Sequence, residues 1–111
     1  MPFKSTQAPN DVSLVTVEGQ LIVANRHELK QLVQDAMDQG VKRFVIDFTP
    51  TAYIDSSGLG ALVSMSKRVR QAGGDLRLAG LNEDLRSLFE LTKLDTLFAI
   101  FETPAEALAG F

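Results

Sequence analysis

Phe44-Val45-Ile46-Asp47-Phe48 is the stretch that decides the fold, because four of its five residues are large and apolar. Side chains in a strand alternate between two faces, so a run apolar at both parities belongs mid-sheet, covered above and below. Pro50 and a short loop then lead to Asp55-Ser56-Ser57-Gly58. Beyond it Leu59, Leu62, Val63, Ser66 and Val69 recur at the spacing of one helix face, which predicts a helix of roughly 15 residues ending at Gly73-Gly74. A buried strand followed by an amphipathic helix is half of a βαβ unit, and the rest of the chain repeats the alternation.

Upstream, a polar turn over Gln7 to Asp11 precedes the β-rich run Val12-Ser13-Leu14-Val15-Thr16-Val17, and Gly19 separates that run from Leu21-Ile22-Val23. The two runs are expected to pair near a sheet edge. Asn25 offers an N-cap with Glu28 three residues later, and Leu29, Leu32, Val33, Ala36 and Met37 form the inner stripe of a helix stopped by Gly40. Downstream, Leu76-Arg77-Leu78-Ala79 alternates as a strand. Asn82 caps a third helix with Glu83 and Asp84 in its first turn and Leu85, Leu88 and Phe89 inside. Leu97 to Phe101 is the last strand, and Thr103, Pro104 and Glu106 open a short terminal helix. The expectation is one α/β domain over residues 1–111, with a mixed, mostly parallel sheet, an N-terminal antiparallel edge and about four helices.

Composition narrows the chemistry. The chain has 111 residues, 45% hydrophobic and 23% charged, the profile of an ordinary globular domain. It has no cysteine, which removes disulfides, thiolate zinc sites, iron-sulfur clusters and cysteine nucleophiles. Its single histidine, His27, lies in the first turn of a charged helix and reads as a solvated residue. A Ser-His-Asp arrangement with Ser56 or Ser57 would need His27 nearby, and no G-x-S-x-G elbow surrounds either serine. The glycines form neither G-x-G-x-x-G nor G-x-x-x-x-G-K-[ST], so no phosphate-cradling loop is expected. Asp47 reads as a strand-end carboxylate that accepts hydrogen bonds from loop amides. With a net charge of −3 the chain carries no basic field for nucleic acid. No apolar run reaches the ~18 to 20 residues of a membrane span, and Met1-Pro2-Phe3-Lys4-Ser5 has no signal core. A cytoplasmic, non-enzymatic protein without metal or cofactor is expected.

The unusual element is Tyr53-Ile54-Asp55-Ser56-Ser57-Gly58-Leu59-Gly60. Two hydroxyls stand where a helix begins. A serine cap would want Glu or Gln three residues on, yet Ser57 is followed at that spacing by Gly60, and each glycine in a first helical turn costs about 1 kcal/mol relative to Ala. Stability alone does not select this pattern. Without Cβ atoms the helix start admits another backbone or a phosphate, and its free amides and dipole favour a dianion. The pattern suits a phosphorylated serine. Further along, Ser64, Lys67, Arg68 and Gln71 lie off the apolar stripe and are available to a partner.

Asp55-Ser56-Ser57-Gly58-Leu59-Gly60, preceded by Ile46-Asp47-Phe48 and followed by Leu91-Thr92-Lys93-Leu94-Asp95-Thr96-Leu97-Phe98, resembles the STAS domain of bacterial anti-sigma factor antagonists. The resemblance covers residues 3 to 109, nearly the whole chain. It implies a single STAS domain that, unphosphorylated, binds an anti-sigma factor with serine kinase activity and so releases the sigma factor. It also implies that phosphorylation by that kinase ends the binding and that a phosphatase restores it. The modified hydroxyl in the family directly follows the Asp, which maps to Ser56. The partner-binding set is then Asp55, Ser56, Ser57, Gly58, Leu59 and Gly60, continued by Ser64, Lys67 and Arg68. One departure stands out: the family's G-x-L-D pattern reads Gly19-Gln20-Leu21-Ile22 here. Ile22 supplies no carboxylate, which keeps open an alternative, a STAS scaffold or subunit of a stress-signalling or transporter-associated assembly without a standard kinase partner.

Overall fold

A computed structural model describes residues 2–111. In chain order its elements are β1 (Phe3–Ala8), β2 (Val12–Val17), β3 (Gly19–Leu21), α1 (Arg26–Asp38), β4 (Arg43–Asp47), β5 (Thr51–Ile54), α2 (Ser56–Gln71), β6 (Asp75–Ala79), α3 (Glu83–Leu91), β7 (Ala99–Phe101) and α4 (Pro104–Leu108). The main sheet has five strands in the order β1-β2-β4-β6-β7, and β3 and β5 form a separate parallel pair. In the main sheet β1 runs antiparallel to β2 and every other neighbour is parallel. This is the mixed α/β layout expected, with four helices.

β4 is central, as its composition requires. Phe44 and Ile46 point into the larger core with Val15, Val17, Leu76 and Leu78 from the flanking strands. Leu29 and Val33 of α1, Leu62, Met65 and Val69 of α2, and Leu85 and Phe89 of α3 close that core. Val45, of opposite parity, joins a smaller cluster on the other face, where Val12 and Ala79 are covered by Ala107 of α4. On that second face Arg77 donates to the Ala107 carbonyl at 2.8 Å, and its guanidinium carbon stands 3.8 Å from the Phe111 ring centre.

Several expectations are corrected. The antiparallel edge is β1, not the run Leu21-Ile22-Val23, and β3 pairs with β5 rather than with β2. Lys4 to Gln7 of β1 are all exposed, so an edge strand held by main-chain hydrogen bonds shows no apolar alternation. The stretch after Pro50, expected as loop, is the short strand β5. Asn25 stands at the N-cap position of α1 but does not cap it: its Oδ1 accepts from the Ile22 amide at 2.9 Å and its Nδ2 donates to the Gln20 carbonyl. The last strand starts only at Ala99, because Lys93 adopts φ 60° and a 3-10 turn takes up Leu94–Thr96. Asn82 and Thr103 cap α3 and α4 as expected, accepting from the Leu85 and Glu106 amides.

Candidate functional site at the start of α2

The cap of α2 is Asp55, and neither serine is. Its backbone is extended (φ −89°, ψ 178°), Oδ1 accepts from the Gly58 amide at 2.7 Å, and Oδ2 accepts from the Val23 amide at 3.0 Å. The Asp55 amide in turn donates to the Leu21 carbonyl at 3.1 Å. One residue therefore closes the first turn of α2 and ties it to β3 and to the turn before α1. Ser56 follows as the first helical residue with its side chain exposed, while Ser57 is half-buried.

The two glycines of this turn do different things. A Cβ on Gly58 would lie 2.5 Å from the Leu21 carbonyl oxygen and 2.9 Å from Ile54 Cγ2, so the backbone that approaches Gly58 is the chain's own. A Cβ on Gly60 would meet nothing within 4 Å. Of the motif, Asp55, Ser56, Ser57 and Gly60 reach the surface, whereas Gly58 and Leu59 are buried and shape it from beneath. Two exposed apolar residues that sequence reasoning did not assign connect to this turn, Val23 (57% exposed) through its amide bond to Asp55 and Tyr53 (56%) through the end of β5. Both are large, mainly apolar side chains left in water. Tyr53 was legible as part of the motif; Val23 comes near only because its amide is bound by Asp55. Ile22 lies half-buried in the turn before α1, its carbonyl accepting from the Asn25 and Arg26 amides.

Along α2 the other proposed contact residues divide between flanks. Arg68 donates to Gln34 of α1 at 2.6 Å and lines a narrow cleft against α1 with Ser64. Lys67 is exposed on the other side, toward Leu97 and Phe98. α2 contains no acidic residue. The ion pairs among the described residues, Lys4–Glu18, Asp75–Arg77 and Arg86–Glu102, involve none of its cations. Asp47 accepts from the Thr49 amide at 2.9 Å and from its hydroxyl at 2.5 Å, the loop-bracing role expected. His27 is exposed in the first turn of α1. Among the described residues no group of three or more His, Cys, Asp or Glu could hold a metal ion, and no helix is long and apolar enough to cross a membrane.

Comparison with known proteins places this geometry in a family context. The STAS domain family matches residues 4–107. The anti-sigma-B factor antagonist of Bacillus subtilis is 33% identical over 94 residues, 85% of this chain and 84% of the relative. A Thermotoga maritima protein assigned to the anti-sigma factor antagonists, solved by crystallography, superposes with a TM-score of 0.88 at 28% identity, over 96% of this chain and 91% of that one. A sulfate transporter family protein of Wolinella succinogenes shares the fold with a TM-score of 0.81 at 20% identity, over 94% and 87% of the two chains.

Proposed function

The chain belongs to the STAS domain family, and on that premise we propose that it is an anti-sigma factor antagonist, a regulatory binding protein switched by phosphorylation of Ser56. Unphosphorylated, it binds an anti-sigma factor with serine kinase activity and so frees the sigma factor. The kinase transfers a phosphoryl group from ATP to Ser56 Oγ, ADP leaves, and the modified chain lets its partner go until a phosphatase removes the phosphate. The chain itself performs no catalysis and acts in the cytoplasm. An anti-sigma factor as the partner is carried over from relatives such as the anti-sigma-B factor antagonist of Bacillus subtilis; the kinase and the phosphatase come from the resemblance of the Asp55–Gly60 motif alone.

The observation that carries this reading is the exposed hydroxyl of Ser56 at the first position of a helix whose cap is already held by its neighbour. Asp55 occupies the Gly58 amide, and the Leu59 amide bonds the Asp55 carbonyl. No acceptor is found among the described residues for the Ser56 and Ser57 amides. An added phosphate therefore meets unpaired donors and the positive end of the helix dipole, and the domain has no need to rearrange. A partner surface shaped for a neutral hydroxyl has no such provision. The contact area on this reading centres on Asp55, Ser56, Ser57 and Gly60, with Val23 and Tyr53 as apolar anchors, and extends to Lys67, with Ser64 and Arg68 on its α1 flank.

Ile22 favours a second reading, a STAS scaffold or subunit of a stress-signalling or transporter-associated assembly without a standard kinase, because no carboxylate stands at that position. Capture from a lysate with wild-type, Ser56→Ala and Ser56→Asp baits, read by mass spectrometry, separates the two. The switch requires a kinase-class partner retained by Ser56→Ala and lost by Ser56→Asp. Equal capture by all three baits would establish the scaffold instead.

A further inference from the structure

Val63, Ser66, Lys67 and Arg70 recur along α2 at intervals of three, one and three residues, which sets them on one flank, away from the cleft with α1. Facing them is the segment that enters β7, Leu97 and Phe98, and an open groove of about 380 Å³ lies between. Leu97 is 44% exposed. Arg70 spans the groove wall by donating through Nη2 to the Leu97 carbonyl at 2.5 Å, which fixes the distance between helix and segment.

Three features of this groove point to a ligand. Its walls are mainly apolar, from Val63, Leu97 and Phe98, and its volume falls within the ~300 to 1,000 Å³ typical of small-molecule sites. Its cations are unpaired: none of the carboxylates among the described residues comes within ion-pairing distance of Lys67 or Arg70. Ser66 is only 4% exposed, and its hydroxyl has no hydrogen-bond partner. A buried hydroxyl left without a partner is costly, and a serine in mid-helix has the carbonyl of the preceding turn as its ordinary acceptor. That oxygen is closed to solvent where it stands, so the hydroxyl gains a carboxylate acceptor from the groove only by rotating about its Cα–Cβ bond.

We propose that the groove binds a small amphiphilic carboxylate, an unbranched aliphatic chain with one carboxylate head. The tail lies against Val63, Leu97 and Phe98. The head takes the ammonium of Lys67 and guanidinium N–H groups of Arg70 not committed to Leu97, and the Ser66 hydroxyl joins them on turning toward the groove. A doubly charged phosphate has no such match, since one lysine and one arginine already spent on a carbonyl make a weak dianion site.

The test is a titration of the isotopically labelled chain, followed by backbone amide NMR, with sodium decanoate, decanol and acetate as separate probes. Decanoate is expected to shift amides around Val63, Lys67 and Phe98 saturably, decanol to bind roughly tenfold more weakly and acetate not to register. Lys67→Glu, an exposed change that leaves the fold intact, is expected to weaken decanoate by roughly tenfold or more. Val63→Trp, which fills the groove, is expected to abolish binding. If Val63→Trp fails to fold, Lys67→Glu decides alone. No saturable shift with decanoate, an equal response to decanol, or indifference to Lys67→Glu would overturn the proposal. So would groove shifts that depend on protein concentration without any additive, since the occupant would then be a second copy of the chain.

Discussion

Asp55 and Val23 lie thirty-two residues apart and are joined by a 3.0 Å hydrogen bond from the Val23 amide to Oδ2. The other oxygen of the same carboxylate holds the Gly58 amide at 2.7 Å. Each oxygen of the side chain thus accepts an amide inside the domain. Asp55 positions the serine that follows it and the turn that carries the exposed side chain of Val23, so it serves the proposed partner contact by positioning as well as by its own surface.

Replacing Asp55 tests that relationship. Asp55→Ala removes an N-cap and leaves a second amide without its acceptor, a combined loss of about 1 to 3 kcal/mol. The melting temperature should fall by several degrees. Asp55→Asn can satisfy only one of the two amides and should fall between. Hydrogen exchange should accelerate at Val23 and Gly58 while the β4 amides stay protected. Unchanged exchange at Val23 would show that the turn before α1 is held by Asn25 alone.

Gly58 and Gly60 should respond oppositely to alanine. A methyl on Gly58 meets a backbone oxygen that cannot swing aside, and overpacking of this kind costs about 1 to 3 kcal/mol. A methyl on Gly60 meets open space, so the substitution should stabilise by up to about 1 kcal/mol through helix propensity. Binding should nevertheless suffer in Gly60→Ala, because the new methyl projects from the surface proposed for the partner. Thermal melts paired with a binding assay check both halves, and a lowered melting temperature for Gly60→Ala would contradict the open space around it.

This pair of glycines also marks where sequence reading stops. β4 was legible because burial on both faces leaves an unbroken apolar run, and the inner stripe of α2 because burial of one face leaves a period in the apolar residues. β1 was not, since Lys4 to Gln7 are exposed and an edge strand is defined by main-chain bonds that leave no such period. β3 and β5 are three and four residues long, too short for alternation to declare itself, and they pair with each other across the whole of α1 and β4. At the site, the motif directed attention to Ser56, and the structure leaves that residue exposed. That Asp55 rather than a serine caps α2, and that Gly58 and Gly60 differ, depends on Leu21, Val23 and Ile54. Those residues become neighbours only in the folded chain.

The far face of the sheet offers a prediction independent of the switch. Arg77 donates to the carbonyls of Ala107 at 2.8 Å and Gly110 at 3.3 Å and lies over the rings of Phe111 and Phe101. A planar fork is needed to do this, and lysine is not one. Arg77→Lys should therefore destabilise by about 1 to 2 kcal/mol in urea unfolding, with the earliest loss of amide protection in α4. If Arg77→Lys unfolds at the wild-type urea midpoint, the side chain is incidental and α4 is held by Ala107 and Leu108 alone.

The last prediction concerns the consequence of charge at Ser56. A phosphate adds about −1.5 to −2 charges at pH 7 and takes the chain from a net charge of −3 to roughly −5. The nearest like charge is Asp55, whose two oxygens are already held by the Gly58 and Val23 amides. Repulsion at a solvent-exposed position is screened and costs on the order of 1 kcal/mol or less, and favourable interaction with the helix N-terminus is of similar size. The two offset, so Ser56→Asp should keep a near wild-type circular-dichroism spectrum and melting temperature. Affinity should behave differently. Burying that charge against a partner surface made for a hydroxyl lacks compensation and should cost about 3 kcal/mol or more, roughly 100-fold in Kd. Ser56→Ala should bind without being switched off by ATP. Ser57→Ala should remain phosphorylatable, because Ser57 is half-buried and Ser56 is exposed. Incubating the purified chain with its kinase partner and ATP, followed by mass-spectrometric site mapping, decides the matter. Label on Ser57 in preference to Ser56, or an unfolded Ser56→Asp, would sink this account of the switch.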